Sequence, residues 1–199
     1  MDWGRILNAA RGCLTARWCP TLARRRYAPS AARHNADVKP HRRMPPLAHQ
    51  WADPAAWVQL KSAESCVICR AGKPNDVLVE LDASWVTVGE DAPIRGYACL
   101  VFRRHVVELH ELSEIEGQSF MRDIRRFSRA VQEVTAAIKL NYEVHGNSIP
   151  HLHMHFFPRY PGDLFGTGPI NPKAVQRPIY APGELKVLRS RLLEALNAA

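Results

Sequence analysis

Acidic residues are nearly missing from the first 43 positions of this 199-residue chain. That stretch carries ten basic side chains (Arg5, Arg11, Arg17, Arg24, Arg25, Arg26, Arg33, Lys39, Arg42 and Arg43) against Asp2 and Asp37, a balance of +8 that equals the formal charge of the whole chain. The other 17 basic and 17 acidic residues cancel, so the remainder gives little support to a basic groove for a nucleic-acid backbone. Long apolar runs are lacking too: none approaches the ~20 residues that a membrane-spanning helix needs. Cysteines number five, an odd count with no secretory leader, which argues against a disulfide framework. A glycine-rich phosphate loop is also absent, and GTGP at residues 166–169 reads as a flexible turn. What is present, 46% apolar and 23% charged residues, describes an ordinary globular protein long enough for one self-sufficient core.

The basic stretch is rich in Arg and Ala and sets Trp3, Ile6, Leu7, Ala10 and Leu14 at helical spacing, so it resembles an organelle transit peptide. A disordered tail, or a start codon assigned too early with Met44 as the true beginning, would account for the same composition. The expected organisation is a basic extension over residues 1–53, disordered or targeting, a domain over 54–163, and a loop and helix over 164–199. The expected location is cytoplasmic for a bacterial chain and mitochondrial if the extension is a transit peptide.

Hydrophobic patterning sketches the domain. A short helix is predicted over residues 54–60, after a Pro-punctuated linker. VLVELD (77–82), SWVTVG (84–89) and YACLVFR (97–103) are β-rich runs separated by turns, the pattern of an antiparallel meander. Ser113 followed by Glu116 forms a capping box, and Ile115, Met121, Ile124, Phe127, Val131, Val134 and Ile138 then recur every three or four residues. This predicts one amphipathic helix over about 113–139, covering the sheet. LNYEVHG (140–146) and the segment that follows give two more strands, and a Pro- and Gly-rich loop leads to a terminal helix near 183–197.

That last strand segment reads NSIPHLHMHFFPRY, with His151, His153 and His155 two residues apart and Leu152, Met154 and Phe156 between them. Strand alternation puts the imidazoles on one side and the apolar residues on the core side. Crowded imidazoles disfavour simultaneous protonation, which keeps some neutral near pH 7. Two chemistries suit them. One is a three-histidine zinc site that activates water. Successive same-face positions splay about 6–7 Å apart, which hinders convergence on one ion. The other is covalent catalysis, with one imidazole attacking phosphorus.

His-x-His-x-His followed by two apolar residues, as in HLHMHFF, resembles the defining motif of the histidine triad (HIT) nucleotide hydrolases and transferases. GYACLVFRRHVVELHELSEIE and NYEVHGNSIPHLHMHFFPRY resemble that family's third strand with its helix start and its catalytic strand pair. CVIC resembles the domain opening of its zinc-bearing, bacterial-type branch. The resemblance covers roughly residues 66–163. It implies an α+β fold with a five-stranded antiparallel sheet, one long packed helix, a C-terminal helix and a homodimer.

The same resemblance implies a nucleotide substrate and roles for particular residues. His153 would attack the α-phosphorus of a nucleoside phosphoanhydride or phosphoramidate, such as a dinucleoside polyphosphate, and form a nucleotidyl-histidine that water hydrolyses. His155 would bond the phosphate oxygens, and Ser148 the phosphate or the departing group. Asn141, Gly146 and Asn147 would help bind the substrate. Cys66, Cys69, His105 and His151 would hold a structural zinc, with no catalytic metal required. His110 and His145 would be surface residues. An acid that grips the ribose would be expected where this chain has Gly89, and Glu90 or Asp91 would substitute only through a shifted loop. A nucleotide-sensing protein with little catalysis, or a hydrolase with a His-ligated catalytic metal, stays open beside this reading.

Overall fold

The computed structural model describes residues 52–198. The expected extension over 1–53 lies almost wholly outside them. Among the described residues no helix is long and apolar enough to cross a membrane.

Helix α1 (Pro54–Leu60) starts where Asp53 Oδ1 accepts the Ala55 and Ala56 amides, with Pro54 in the first turn, where its missing N–H costs nothing. Helix α2 (Val67–Ala71) follows and ends on Gly72 in the left-handed region. Five strands then build one sheet: β1 (Val77–Glu80), β2 (Ser84–Thr87), β3 (Ala98–Phe102), β4 (Lys139–Glu143) and β5 (His153–Arg159). The order is β1-β2-β3-β5-β4 and every pairing is antiparallel, so β5 is inserted between the meander and β4.

Between β3 and β4 runs helix α3 (Glu114–Thr135), opened by the expected capping box: Ser113 Oγ accepts the Glu116 amide and Glu116 accepts the Ser113 amide. It stops short of the predicted end because Ala136 takes φ 55° and turns the chain, letting the Ile138 amide donate to Arg159 and lead into β4. The buried face is also rotated from the predicted one. Phe120, Ile124, Phe127, Ala130 and Val131 are buried, whereas Ile115, Met121 and Ile138 are 78%, 52% and 67% exposed. Phe127 meets Phe156 edge to face and Phe120 meets Phe102 likewise, at centroid separations of 5.1 and 5.3 Å. Asp123, buried on α3, accepts the Ala83 amide and the Ser84 hydroxyl, fastening the β1–β2 turn to the helix.

Helix α4 (Glu184–Ala198) completes the core with Leu192 and Leu196. Its Arg189 donates to the carbonyls of Asp76, Val77 and Val88, caging the start of the β1–β2 hairpin. One sheet face is thereby covered by α3. The other carries His153, His155 and Phe157, with Cys99 and Val101 opposite the two histidines on β3.

Candidate functional site

β5 begins at His153, so His151 lies just before the strand rather than on its face. The Leu152 amide donates to the Val106 carbonyl and Phe102 donates back to Leu152, and this pinned loop turns the His151 ring away from its two fellows. That ring is 1% exposed and points at Cys66, Cys69 and His105. The three-imidazole metal site weighed from sequence is not formed. Among the described residues the one cluster of His, Cys and acid side chains placed to hold a metal ion is Cys66, Cys69, His105 and His151.

The spacing of that cluster fits a closed four-coordinate ion. Bonds of about 2.3 Å to sulfur and about 2.05 Å to nitrogen, at tetrahedral angles, separate neighbouring donors by roughly 3.4–3.8 Å. Here Cys66 Sγ is 3.4 Å from His151 Nδ1, Cys69 Sγ is 3.3 and 3.7 Å from the Nδ1 atoms of His105 and His151, and those two nitrogens are 3.4 Å apart. The far ring nitrogens are also spoken for: His105 Nε2 donates to Lys61 O at 2.8 Å and His151 Nε2 to Phe102 O at 2.7 Å. Both rings therefore present a bare Nδ1 lone pair to the centre. Burial, and then the neighbouring Cys66, push the Cys69 thiol up to about 11, a shift that a bound divalent cation reverses.

His153 has the opposite polarity. Its Nδ1 lies 2.6 Å from the His151 carbonyl, which can only accept, so the proton sits on Nδ1 and Nε2 carries a free lone pair. Burial pushes its basicity down, which keeps the ring uncharged. The neighbouring His155 ring stands 4.8 Å away, nearly perpendicular. Its Nδ1 is 2.7 Å from Tyr97 Oη and 3.0 Å from Cys99 Sγ. Burial pushes the pKa of both partners up, the Cys99 thiol to about 11, so each keeps its proton and can donate to Nδ1. With Tyr97 donating to Nδ1, the proton of the neutral His155 ring sits on Nε2. Burial and the adjacent His153 lower its pKa to about 4.

The other expected residues divide. Gly146 is buried with φ 83°, a conformation that suits glycine. Asn147 and Ser148 are exposed beside the site, and no hydrogen bond joins them or Asn141 to the histidines. Asn141 faces Phe157 across the β4–β5 ladder, while Glu143 faces His155. His110 is exposed as expected. His145 is exposed too, but its ring is 5.6 Å from that of His155 and its Nε2 is 2.8 Å from Glu143, so it belongs to the site rim. Neither Glu90 nor Asp91 replaces the missing acid at 89, since Asp91 pairs with Arg177 and Glu90 borders a hollow beside α4. A carboxylate reaches the spot from elsewhere: a Cβ on Gly89 would lie 2.6 Å from Asp76 Oδ2. Sequence reasoning missed Asp76, Tyr97 and Cys99. Tyr97 and Cys99 lie two apart on the β3 edge of the same sheet face, a relation visible only once the register is known.

A hollow of about 400 Å³ opens beside His153 and His155, walled by Val67, Ile68 and Ala71 of α2 and floored by Thr87, Cys99 and Val101. An apolar hollow ending on one imidazole with a free lone pair and a second, uncharged imidazole that can donate a hydrogen bond has room for a nucleoside phosphate ester.

Known proteins place this architecture. The HIT domain family model matches residues 70–162. A histidine triad protein of Bradyrhizobium japonicum, solved by crystallography, is 33% identical, with a TM-score of 0.54, over 60% of this chain and 89% of its own. Protein hit of Bacillus subtilis is 29% identical over 53% of this chain and 79% of its own. The adenosine 5'-monophosphoramidase hnt1 of Schizosaccharomyces pombe is 23% identical over 56% and 91%. The chain belongs to the histidine triad family.

Proposed function

We propose that this protein is a nucleotidyl hydrolase or transferase that cleaves nucleoside phosphoanhydrides or phosphoramidates at the α-phosphorus through a nucleotidyl-His153 intermediate. The observation that carries this reading is the bare Nε2 of a neutral imidazole held by the His151 carbonyl at 2.6 Å. Similarity to an adenosine 5'-monophosphoramidase supports it. His153 Nε2 forms a bond to phosphorus while the bond from phosphorus to the leaving oxygen or nitrogen breaks, its electron pair staying with the leaving atom. The Nε2–H of His155 donates to the phosphate oxygens, and the leaving atom takes its proton from solvent water. Water then attacks the same phosphorus, the P–N bond to His153 breaks with its electron pair returning to Nε2, and loss of the water proton to solvent leaves the nucleoside monophosphate. Ser148 and Asn147, exposed at the rim, and the Gly146 backbone are within the loop that meets the phosphate.

The Cys66, Cys69, His105 and His151 set would hold zinc. A four-ligand thiolate and imidazole shell leaves no open position, so the ion's part is to fix the loop that ends in His153. Residues 54–163 form the catalytic domain, with a C-terminal loop and helix over 164–199, of which 164–198 are described. The exposed groove between Met121 on α3 and Tyr142 and Met154 on the sheet, beside edge strand β4, is where a second copy would pair to form the homodimer.

Mixing the protein with adenosine phosphoramidate, adenylyl sulfate or a dinucleoside polyphosphate and quenching in milliseconds tests the reading. Mass spectrometry should find a nucleotide joined to His153. Binding without any adduct or turnover would make the protein a nucleotide sensor instead.

A further inference from the structure

Cys66 and Cys69 open helix α2, and the two residues between them, Val67 and Ile68, are walls of the hollow beside His153. The turn that supplies half of the Cys and His cluster therefore also shapes the hollow. On the other side of the cluster His151 lends its carbonyl to His153 Nδ1 at 2.6 Å. We infer that this cysteine pair is a reversible oxidation site: a peroxide joins Cys66 to Cys69, empties the cluster of its ion, and lowers nucleotide binding and attack together. The inference rests on the function and the zinc cluster proposed above and names a regulation of that same site.

Spacing permits the bond. Residues one helical turn apart have Cα atoms about 5 Å apart, inside the roughly 4.4–6.8 Å that a disulfide spans. The two Sγ atoms lie within 4.8 Å of one another. Closing them to about 2 Å asks for a side-chain rotation and a shift of that turn. Exposure then sets the order of events. Cys66 is 3% exposed, whereas Cys69 is only half-buried. A bound divalent cation keeps both sulfurs as thiolates, the form that reacts with peroxides. Zinc undergoes no redox change, so the electrons come from sulfur. Cys99, buried against Tyr97 and His155 with its thiol pushed up to about 11, has no such cation and stays inert.

The Cys69 thiolate attacks hydrogen peroxide, the O–O bond breaks, and a sulfenic acid forms on Cys69 with release of hydroxide. The Cys66 thiolate then attacks that sulfur, and the S–S bond forms as a second hydroxide departs. Two electrons pass from the two sulfurs to the peroxide, and no other reactant is needed. Disulfide sulfurs carry no charge, which leaves the cluster two donors, His105 and His151, too few to hold the ion. His151 loses the centre that fixes its ring, and the carbonyl that orients His153 moves with it. The shift of the α2 turn displaces Val67 and Ile68 against the floor of Thr87, Cys99 and Val101. A dithiol reverses the chemistry by exchange.

The test titrates the full chain, reduced and zinc-loaded, with hydrogen peroxide. A chromophoric chelator reports free zinc, peptide mass spectrometry maps disulfides, and NMR follows binding of adenosine monophosphate. The expected result is a Cys66–Cys69 disulfide formed in step with zinc release, with Cys99 unmodified. Affinity for the monophosphate should fall about tenfold, the lower end of what one lost apolar contact brings. Turnover should fall about a hundredfold, the cost of misplacing a reacting group by about one ångström. Dithiothreitol with zinc should restore both. Cys69→His keeps a nitrogen donor and cannot form the bond, so whatever its starting affinity, it should show no change through the same titration. Should that variant not fold, the wild-type titration decides alone. A disulfide that leaves monophosphate affinity unchanged, zinc lost without that disulfide, or reaction only at peroxide levels that first oxidise methionine would overturn the inference. Reduced protein that takes up no zinc overturns the metal reading and the switch with it. A zinc-bearing protein that never turns over, yet loses monophosphate affinity on oxidation, loses the catalytic reading and keeps the switch.

Discussion

The carbonyl that orients His153, 2.6 Å from its Nδ1, belongs to His151, whose ring is a corner of the Cys and His cluster. One residue therefore serves two places, its side chain facing the cluster and its backbone facing His153. Replacing His153 by Ala removes the attacking atom and leaves the carbonyl exposed to water. Turnover should fall below detection, with the thermal transition moved by no more than a few degrees. Steady-state turnover by His153→Ala close to that of the wild type would refute covalent catalysis through this residue.

Cys66→Ala tests the other side of that residue. The variant removes one of four donors, so zinc measured by elemental analysis should fall from about one ion per chain to a small fraction. Thermal stability should fall with it, since binding to the folded state alone adds to folding free energy. Because His151 loosens, kcat should drop as well even though no ligand touches substrate. A chelator should act slowly, at the rate of local unfolding; immediate loss on chelation would point to a catalytic metal.

Tyr97 Oη lies 2.7 Å from His155 Nδ1, where its hydroxyl can keep the ring proton on Nε2. Tyr97→Phe keeps the ring and removes the hydroxyl, leaving the weaker Cys99 thiol as the donor to Nδ1. We expect kcat to fall about tenfold, part of the roughly 10²–10³ that one hydrogen bond to a developing oxyanion supplies. Binding of a nucleoside monophosphate should weaken as well, since the same Nε2–H would bond its phosphate. Unchanged monophosphate binding with a lowered thermal transition would show that Tyr97 acts through packing instead.

Much of this was legible in the sequence because strands and capping boxes are local. The sheet, the α3 start at Ser113 and the short helix over Pro54–Leu60 follow from alternation, capping and proline placement, and the structure has them there. The α3 face was less legible, since Phe120 and Ala130 fit the period as well as Met121 and Ile115 do, and only the sheet decides between them. His151 stands at the right alternation for the strand face, yet the Leu152 and Val106 pairing turns it toward the cysteines. Tyr97, Cys99 and His145 gain their meaning from the register against His155, which no window of sequence contains. Asp76 reaches beside Gly89 through the hairpin, thirteen positions back along the chain. The packing of Ile170 on Ile94 and Phe157 comes from a loop, where no periodicity marks it.

Arg159 and Asp163 hold the segment after β5 in place. Asp163 accepts Arg159 Nε and Nη2 at 2.7 and 2.8 Å and the amides of Tyr160 and Phe165, while the guanidinium also reaches the carbonyls of Gly166 and Gly168. Both side chains are 9% exposed. The Arg159 guanidinium, followed by the two amides, holds the Asp163 carboxyl well below the usual carboxylate range despite its burial. A folded-state pKa below the unfolded value of about 3.9 means that the ionised form stabilises the fold. That contribution is complete above roughly pH 5 and is lost as pH falls through the carboxylate range toward the folded pKa. Asp163→Asn keeps the shape and removes the charge, stranding a buried guanidinium, so it should cost on the order of 3 kcal/mol at pH 7. Urea unfolding of both proteins at pH 7, 5 and 3 should give a difference that is constant between the first two and smaller at the third. A difference that does not change with pH would mean that the bonds to the amides, which Asn Oδ1 can keep, and not the charge, hold the segment.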